Sequence, residues 1–391
     1  LYFVRFNIDI GFSLKSYMVI TFFGFVLLHK HLKFTNLFLF EKLMLFFILI
    51  SSMSALNFRY PGAHLRFIFV YFVILFFYFV VRGLILNVET EKIESCIEKS
   101  GYIAVWFSII YFVMGAIALG FVFRGNNIDI YGLVIDRNIP RLTGTVHDPN
   151  IFVFFITPYF YYVATHLNSK KNIVGFVVAL LCIVLTFSRG GHLGVLAGVI
   201  VLLLFSKKRL KQLKIGVIFL VSILVLYSFK DFLPIDPFEF ISSRFLSANL
   251  DGGSGRKRLW ANAINTFKDN PIFGIGINAT RDYSIEFYSR GGYVHNTFLE
   301  VLSEMGIVGF TVYVSFWASI LYYSIKITRT RKNLFILCTF VSMFFQIQFL
   351  SILYNEMFYF MILILYRYYY EYINVKLKEK YENKLAINMR R

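Results

Sequence analysis

The stretch GSGRKRLWANAINTFKDNPIFGIGINA, residues 253–279, and the stretch GGYVHNTFLEVLSEMGIVGF, residues 291–310, form the longest polar segment of an otherwise apolar chain. Apolar residues recur at helical spacing near both ends of this segment, which predicts two short amphipathic helices around a glycine-rich turn. The first predicted apolar face consists of Leu259, Trp260, Ala263, Ile264 and Phe267, and the second of Phe298, Leu299, Leu302 and Met305. We therefore expect one large polar loop attached to an apolar bundle.

The rest of the chain has the composition of a membrane protein. Of its 391 residues, 58% are hydrophobic and 20% are aromatic, and the mean hydropathy is +0.66. Apolar runs of about 17 to 23 residues recur, which is long enough to cross a hydrocarbon core about 30 Å thick. This pattern predicts a polytopic α-helical membrane protein and excludes an ordinary soluble domain.

Eleven runs have the length and apolarity expected of membrane spans. They cover residues 16–29, 37–56, 65–86, 101–123, 150–167, 173–187, 190–205, 214–229, 306–325, 333–352 and 355–371. With this count the N-terminus lies outside the cell, and a twelfth helix before residue 1 would restore a cytoplasmic start. The charged segment 87–100 is predicted to be a separate interfacial helix on the cytoplasmic side.

The net charge of +18 is distributed in short clusters between the apolar runs. Clusters at residues 170–171, 207–214 and 326–332, and the tail after residue 376, are predicted to be cytoplasmic because cytoplasmic loops carry an excess of Lys and Arg. The charge therefore indicates membrane topology rather than a nucleic-acid partner. Three cysteines, Cys96, Cys182 and Cys338, lie far apart, so neither a disulfide framework nor a metal site is expected.

The chain is accordingly divided into four parts. Residues 1–229 and 306–375 form the first and last parts of the helical bundle, residues 230–305 form a large external loop, and residues 376–391 form a basic cytoplasmic tail. The polar residues that could take part in catalysis or binding all fall on the predicted external side. The predicted protein is a multi-pass protein of the cell inner (plasma) membrane.

Arg256 is the first candidate for anion binding. Ser254 is expected to cap the helix that follows, so Arg256 falls in its first turn, where free amides and the helix dipole favour an anion. Trp260 follows one turn later on the same face and is expected to anchor this turn to apolar surface while the guanidinium projects past it. A solvated loop charge is the alternative interpretation of Arg256.

Arg189 and His295 are the second and third candidates. Arg189 stands in a tight SRGG turn after a span without other charges, and its alternative role is that of an arginine extending from a helix end to the membrane surface. His295 is expected to open the second predicted helix, and its alternative role is packing or capping. Together, two arginines and a histidine on one side of a membrane suit a lipid pyrophosphate, with His295 as a proton acceptor.

Further polar residues are candidates for substrate binding. Asp148 and Asn150 lie in the motif RLTGTVHDPN, residues 141–150, where capping of the next helix is the alternative role. Asn296, beside His295, and Trp260 are included in the same predicted group. Glu300 and Glu304 are expected on a solvated helix face. No pair of carboxylates of the DxD kind is evident, so no metal and no other cofactor is expected, and arginines would neutralise the leaving group.

Four motifs resemble the O-antigen ligase/polymerase superfamily of bacterial polysaccharide enzymes. They are SRGG at Ser188, GRKRLW at Gly255, NPIFGIG at Asn270 and HNTFLEVLSEMGIVGF at His295, and the DPN at Asp148 is similar to a further element of the family. The matches cover roughly residues 140–312 in family order. The resemblance implies an all-α, GT-C-like membrane fold of about 11 to 12 helices with one large external loop that contains short amphipathic helices.

The same resemblance implies an activity. The family transfers an oligosaccharide from undecaprenyl pyrophosphate to a sugar hydroxyl, and its histidine, loop arginine and helix-end arginine match His295, Arg256 and Arg189. We expect an O-antigen or capsule polymerase whose partners are undecaprenyl-pyrophosphate-linked oligosaccharides, membrane lipid and a chain-length regulator protein. The alternative is an O-antigen ligase that transfers polymer to lipid A core. A polysaccharide flippase or transporter is a more distant alternative, since no internal repeat is visible.

Overall fold

The structure is a computed structural model that describes residues 1–2, 8–9, 13–57, 59–206, 255–331 and 334–388. Within these ranges the chain is mainly helical. The helices are α1 (Ser16–Leu28), α2 (Leu39–Ser54), α3 (Pro61–Ile85), α4 (Thr90–Ala118), α5 (Pro149–Thr165), α6 (Lys170–Leu185), α7 (Arg189–Phe205), α8 (Arg256–Asp269), α9 (Thr280–Tyr288), α10 (Thr297–Arg331), α11 (Phe335–Gln346) and α12 (Glu356–Asn388). Short 3₁₀ turns cover His29–His31, Ala55–Asn57 and Ile347–Phe349.

Three of these helices are long and apolar enough to cross a membrane: Pro61–Ile85, Thr90–Ala118 and Thr297–Arg329. Two shorter apolar helices cover Arg189–Phe205 and Phe335–Phe349. The predicted count of eleven or twelve spans is thus not confirmed. The span predicted at 214–229 lies outside the described residues.

The predicted interfacial helix at residues 87–100 is not a separate element. Helix α4 runs without a break from Thr90 to Ala118. Its charged residues all lie in the first ten positions and the rest of the helix is uncharged, so the charge pattern changes at a point where the helical backbone continues. The change in composition near residue 100 therefore does not mark the end of a helix.

Five short strands accompany the helices in the described parts of the chain, so the structure is mainly helical rather than helical throughout. Strands β1 (Ile8–Asp9) and β2 (Ser13–Leu14) pair near the N-terminus. Strands β3 (Ile128–Ile130), β4 (Leu133–Asp136) and β5 (Ile139–Leu142) form an antiparallel sheet in the order β3-β4-β5.

The turn between β4 and β5 explains why this sheet forms. It consists of Arg137 and Asn138, which have φ values of 55° and 61°. Two residues with positive φ are the requirement of the tight hairpin turn whose twist matches that of the flanking strands. The register pairs Val134 with Arg141, and a short connection, residues 143–148, leads from β5 to the start of α5. The sheet therefore fixes the position of Arg141 relative to that helix.

Helix α7 packs closely against α11 through a row of glycines. A Cβ atom on Gly194 would lie 2.3 Å from Gln346 Cγ, and one on Gly198 would lie 2.7 Å from the carbonyl oxygen of Cys338. Such distances leave no space for a side chain, so glycine permits the contact. This packing sets the position of the SRGG turn, with which α7 begins.

A buried ion pair joins α2 to α3. Arg82 Nε donates to Glu41 Oε1 at 2.5 Å, and Tyr78 donates to the same oxygen at 2.9 Å. Side-chain exposure is 1% for Arg82 and 0% for Glu41. The guanidinium also lies 4.3 Å from the ring centroid of Tyr366 on α12. These contacts hold three helices together by charged and polar groups that water does not reach.

Helix α10 is broken at Gly306, where φ is 62° and ψ is −164°. This conformation is essentially restricted to glycine. The amide of Ile307 donates to the carbonyl of Pro271 at 2.9 Å, and the amide of Val308 donates to that of Ile272 at 3.4 Å. The NPIFGIG turn thus accepts hydrogen bonds that the interrupted helix cannot make itself.

The same turn also donates to the carbonyls before the break. The amides of residues 275 and 276 donate to the carbonyls of Ser303 and Glu304 at 3.1 and 2.8 Å. The carboxylate of Glu304 accepts from the amides of Asn278 and Thr280 and from the Thr280 hydroxyl. Glu304 is 2% exposed, so its predicted place on a solvated face was wrong.

Glu300 departs from that prediction as well, because its Oε2 atom is buried. The polar segment contains α8 as predicted, although Ile264, expected on its apolar face, is 40% exposed. The second short helix is the first part of the longer α10, and α9 lies between the two. Tertiary contacts of the glycine-rich turn, which local spacing does not show, account for these differences.

Candidate functional site

Four helices begin close together at one end of the described structure. Asp148 caps α5, and its Oδ1 accepts from the amides of residues 150 and 151 at 2.7 and 3.0 Å. Ser188 caps α7, Gly255 occupies the N-cap position of α8, and Asn296 precedes α10. Free amides and positive dipole ends at helix N-termini favour anions, so their convergence suits a negatively charged ligand.

Asn150 connects the starts of α5 and α7. Its Oδ1 accepts from the Ser188 hydroxyl at 2.7 Å and from Arg141 Nη2 at 3.3 Å. Ser188 Oγ in turn accepts from the amide of Gly191 at 3.1 Å. Because Arg189 directly follows Ser188, this set of hydrogen bonds fixes the backbone from which the Arg189 side chain extends.

Arg141 is a third arginine of the site that the sequence did not suggest. Its side chain is 13% exposed, and it donates to Asp136 Oδ2 at 3.1 Å and to the carbonyl of Thr186 at 2.9 Å. Burial lowers the pKa of Arg141, the charges of Asp148 and Asp136 raise it, and the charge of Arg189 lowers it. Arg141 is the first residue of the motif RLTGTVHDPN, from which only Asp148 and Asn150 were chosen as candidates. Its presence in that motif was the sequence signal that could have identified it.

Phe349 links the SRGG turn to α8. The Cζ atom of Arg256 lies 5.9 Å from the Phe349 ring centroid, and the ring centroid of Trp260 lies 6.4 Å from it. A Cβ atom on Gly190 would lie 2.5 Å from Phe349 Cβ. The indole of Trp260 donates to the carbonyl of Val294 at 3.1 Å. Arg256 and Trp260 therefore share a face, as predicted, and that face packs beside the residue that precedes His295.

The charged groups of the cluster act on one another. Burial lowers the pKa of Arg256, the charges of Arg189 and Arg141 lower it as well, and the charge of Asp148 raises it. Burial also lowers the pKa of His295, as does the charge of Arg256, whereas the charge of Asp148 raises it. The structure thus brings together the three residues predicted to be catalytic and adds Arg141 and Asp148 around them.

His295 has an unusual backbone conformation with φ of 52°. Its amide donates to Ser351 Oγ at 3.0 Å. A left-handed conformation is uncommon for a residue other than glycine, and it persists only where the surroundings hold it. His295 was expected to open α10, but it lies two residues before the first helical residue, Thr297. The conformation of the preceding loop, and not that of the helix, therefore sets the orientation of His295.

The four residues predicted to bind substrate all have partners in the protein. Asn296 Oδ1 accepts from the amides of residues 298 and 299, and Asn296 is 8% exposed. Trp260, Asp148 and Asn150 make the contacts described above. Their contacts with substrate remain predictions.

Two further predictions concern the N-cap residue of α8 and the expectation that the protein has no metal site. The N-cap position of α8 is occupied by Gly255, with φ of 76°, rather than by Ser254, which lies outside the described residues. Arg256 still falls in the first turn. Among the described residues, no group of three or more His, Cys, Asp and Glu side chains could hold a metal ion.

Comparison with known protein families places this geometry in context. Residues 174–314 match the model of the family described as O-antigen ligase. The match contains Arg189, Arg256 and His295, and it confirms the resemblance to the O-antigen ligase/polymerase superfamily. No curated protein matched the chain. The matched region covers less than half of the chain and is similar to O-antigen ligases. Together with the three long apolar helices, it indicates an integral membrane protein.

Proposed function

Starting from the O-antigen ligase domain at residues 174–314, we propose that the protein is a membrane glycosyltransferase that polymerises oligosaccharide repeats. The donor is a repeat linked to undecaprenyl pyrophosphate, and the product is O-antigen or capsular polysaccharide. The clustering of Arg189, Arg256 and His295 beside Arg141 carries the proposal. These four residues come from four separate stretches of the chain, and their chemistry suits the binding of a pyrophosphate and the acceptance of a proton.

The donor pyrophosphate binds between Arg189 and Arg256. Each guanidinium is planar and permanently charged and can donate two parallel hydrogen bonds to phosphate oxygens. The starts of α7 and α8 add the positive ends of their helix dipoles at the same place. Arg141 is already occupied by Asp136, Asn150 and Thr186, so its contribution is to orient the SRGG turn and to add positive charge.

The reaction forms a glycosidic bond between two sugars. The acceptor hydroxyl oxygen attacks the anomeric carbon of the donor, and the bond between that carbon and the phosphate oxygen breaks. His295 takes the proton of the hydroxyl, and undecaprenyl pyrophosphate leaves with the electron pair. A lowered pKa keeps His295 neutral near pH 7, which is the state that a general base requires.

The leaving group carries several negative charges, and the arginines neutralise them as the bond breaks. This role needs no metal ion and no other cofactor in the proposed mechanism. The positive groups lie in a partly buried cluster, where charge interactions are stronger than in water. The site is thus arranged for the charge that develops on the pyrophosphate.

An O-antigen ligase is the second candidate function, and the description of the matched family favours it. In that case the donor and the three site residues keep their roles, while the acceptor is lipid A core instead of a lipid-linked repeat. In its polymerase form, the proposal places the protein in the cell inner membrane with its site on the external side. It also includes a chain-length regulator protein as a partner.

Lipopolysaccharide from a deletion strain distinguishes the two functions. A polymerase deletion should leave a single repeat on the core, because transfer still occurs without polymerisation. A ligase deletion should leave polymer on its lipid carrier and none on the core. An unchanged banding pattern in a strain that uses this gene would contradict both. Complementation with the intact gene is the control.

A further inference from the structure

The NPIFGIG turn exposes two large apolar side chains. Ile272 is 56% exposed and Phe273 is 66% exposed. Their backbone is nevertheless well fixed, because Pro271 and Ile272 accept hydrogen bonds from the amides of Ile307 and Val308. A rigid turn that presents two apolar side chains outward needs a partner for them.

The position of the turn indicates which partner this is. Ile307, to which Pro271 is bonded, is the first residue after the break in α10, in one of the helices long enough to cross a membrane. One side of this helix carries exposed apolar residues at helical spacing, namely Ile307, Val314, Tyr322 and Ile325. This side faces lipid in a membrane-spanning helix. Ile272 and Phe273 are attached at its end, so the turn is continuous with the lipid-facing surface.

Helix α8, which leads into the turn, has a second feature of a membrane surface. Lys257, Ala261, Ile264 and Lys268 recur at helical spacing, and all four are exposed. Small or apolar residues flanked by lysines suit the boundary between acyl chains and anionic headgroups. The face therefore fits the same partner as the turn.

We propose that Ile272 and Phe273 insert into the acyl-chain region of the phospholipid bilayer and anchor the polar loop to the membrane surface. In the proposed function, this anchor holds the loop that carries Arg256 at the depth where a lipid-linked donor presents its pyrophosphate. Only this consequence rests on the proposed function. The insertion itself follows from the exposure of the two side chains and from their attachment to α10.

Spin-label accessibility in proteoliposomes of phosphatidylethanolamine and phosphatidylglycerol tests the proposal. Cys96 is exposed and is replaced by serine, whereas Cys182 and Cys338 are buried and are retained. A nitroxide is then attached to a cysteine introduced by Phe273→Cys. Collisions with oxygen, which concentrates in acyl chains, are compared with collisions with a water-soluble nickel chelate.

Two matched variants provide the scale for this measurement. Val314→Cys labels an exposed position of the membrane-crossing helix, and Arg281→Cys labels an exposed position on α9. We expect the oxygen-to-nickel collision ratio at Phe273 to resemble that at Val314 and to exceed that at Arg281 several-fold. A ratio equal to that at Arg281 would overturn the proposal.

Low collision rates with both reagents would also overturn it, because they would mean that protein covers the turn. The label should change neither expression nor membrane extraction, since the Phe273 side chain is exposed. This readout measures depth and not activity. A failed insertion therefore leaves the proposed reaction intact, and an inactive enzyme leaves the insertion measurable.

Discussion

The guanidinium of Arg256 lies over the ring of Phe349, with 5.9 Å between Arg256 Cζ and the ring centroid. The same Phe349 packs against Gly190, the neighbour of Arg189. One aromatic ring in the 3₁₀ turn after α11 therefore contacts both arginine-bearing stretches. The distance between the two arginines depends on Phe349, which neither motif contains.

Replacement of Arg256 by alanine should reduce polymer formation by about 30- to 1000-fold, which corresponds to about 2 to 4 kcal/mol of lost transition-state stabilisation. Arg189→Ala should have a similar effect, and lysine at either position should restore only part of the rate because it lacks the planar fork. Rates are measured with purified enzyme and lipid-linked repeats. Lys257→Ala, next to Arg256 but exposed, is the matched control and should retain nearly full activity.

The pH dependence should identify His295 as the base. A base acts in its neutral form, so kcat/KM should rise as the pH increases through the pKa of His295. Burial and Arg256 lower that pKa, so the midpoint of the ascending limb should lie below the usual value of about 6.5. His295→Gln should lose the limb and about 100- to 10,000-fold of the rate. Substantial activity of this variant would mean that His295 only orients the acceptor hydroxyl and does not take its proton.

Asp148→Asn provides a directional control for the same experiment. The charge of Asp148 raises the pKa of His295, so its removal should shift the limb to lower pH. Asparagine can still cap α5, which limits the structural effect of the change. Loss of the limb in Asp148→Asn, with the limb intact in His295→Gln, would instead assign the base to Asp148.

Arg141→Gln should lower kcat/KM by about 10- to 100-fold, because it removes a charged hydrogen bond that holds Asn150 and, through it, the start of α7. Arg141→Lys should rescue part of this loss, since its ammonium keeps the charge but cannot reach three acceptors at once. Arg137→Gln, in the exposed turn of the same hairpin, is the control. Equal thermal stability of all three variants is required, and unchanged kinetics of Arg141→Gln would refute the positioning role.

Stability should depend on the ion pair between α2 and α3. Arg82→Leu leaves the Glu41 carboxylate buried without its partner and should destabilise the protein by about 3 to 5 kcal/mol. The double variant with Glu41→Leu removes both charges and should recover much of this loss. Thermal unfolding in detergent measures both. A double variant as unstable as Arg82→Leu would show that packing, and not the unpaired charge, causes the defect.

Membrane topology tests the prediction that the polar loop with the candidate site lies on the external side of the membrane. Reporter fusions at Arg290 should report the external side, and fusions at Arg331 should report the cytoplasm, because basic loops are retained inside. Arg290 precedes α10 and Arg331 is its last residue, so the two fusions should give opposite signals. An internal signal at Arg290 would place the site on the wrong side for the proposed external reaction.

The sequence was sufficient to predict most of the described helices and to single out Arg189, Arg256 and His295, which the structure brings together. Long apolar runs determine helices almost independently of context, and the motifs that carry Arg189, Arg256 and His295 are local. Contacts between distant stretches were not predictable. Glu304 has the spacing of a solvated face, but the turn at residues 274–280 covers it. Arg141 gains its role from Thr186 and, through Asn150, from Ser188, about 45 residues away in the chain.

The short β-sheet was missed for a similar reason. Its strands have three or four residues, which is too few for an alternating pattern to be distinguished from a loop. The signal that could have revealed it is the pair Arg137 and Asn138, in which asparagine tolerates positive φ at a hairpin turn. Recognition of that turn would have placed Arg141 beside the start of α5.

The cluster of positive charge has a consequence for turnover. In the proposed reaction the donor pyrophosphate is bonded to a sugar, and the released carrier lipid has a free terminal phosphate with an additional negative charge. Arg189, Arg256 and Arg141 should therefore retain the spent carrier at least as firmly as the donor. Departure of this lipid, and not formation of the new bond, would then limit the rate, and added undecaprenyl pyrophosphate would inhibit the enzyme competitively. Salt would relieve this inhibition by screening the arginines.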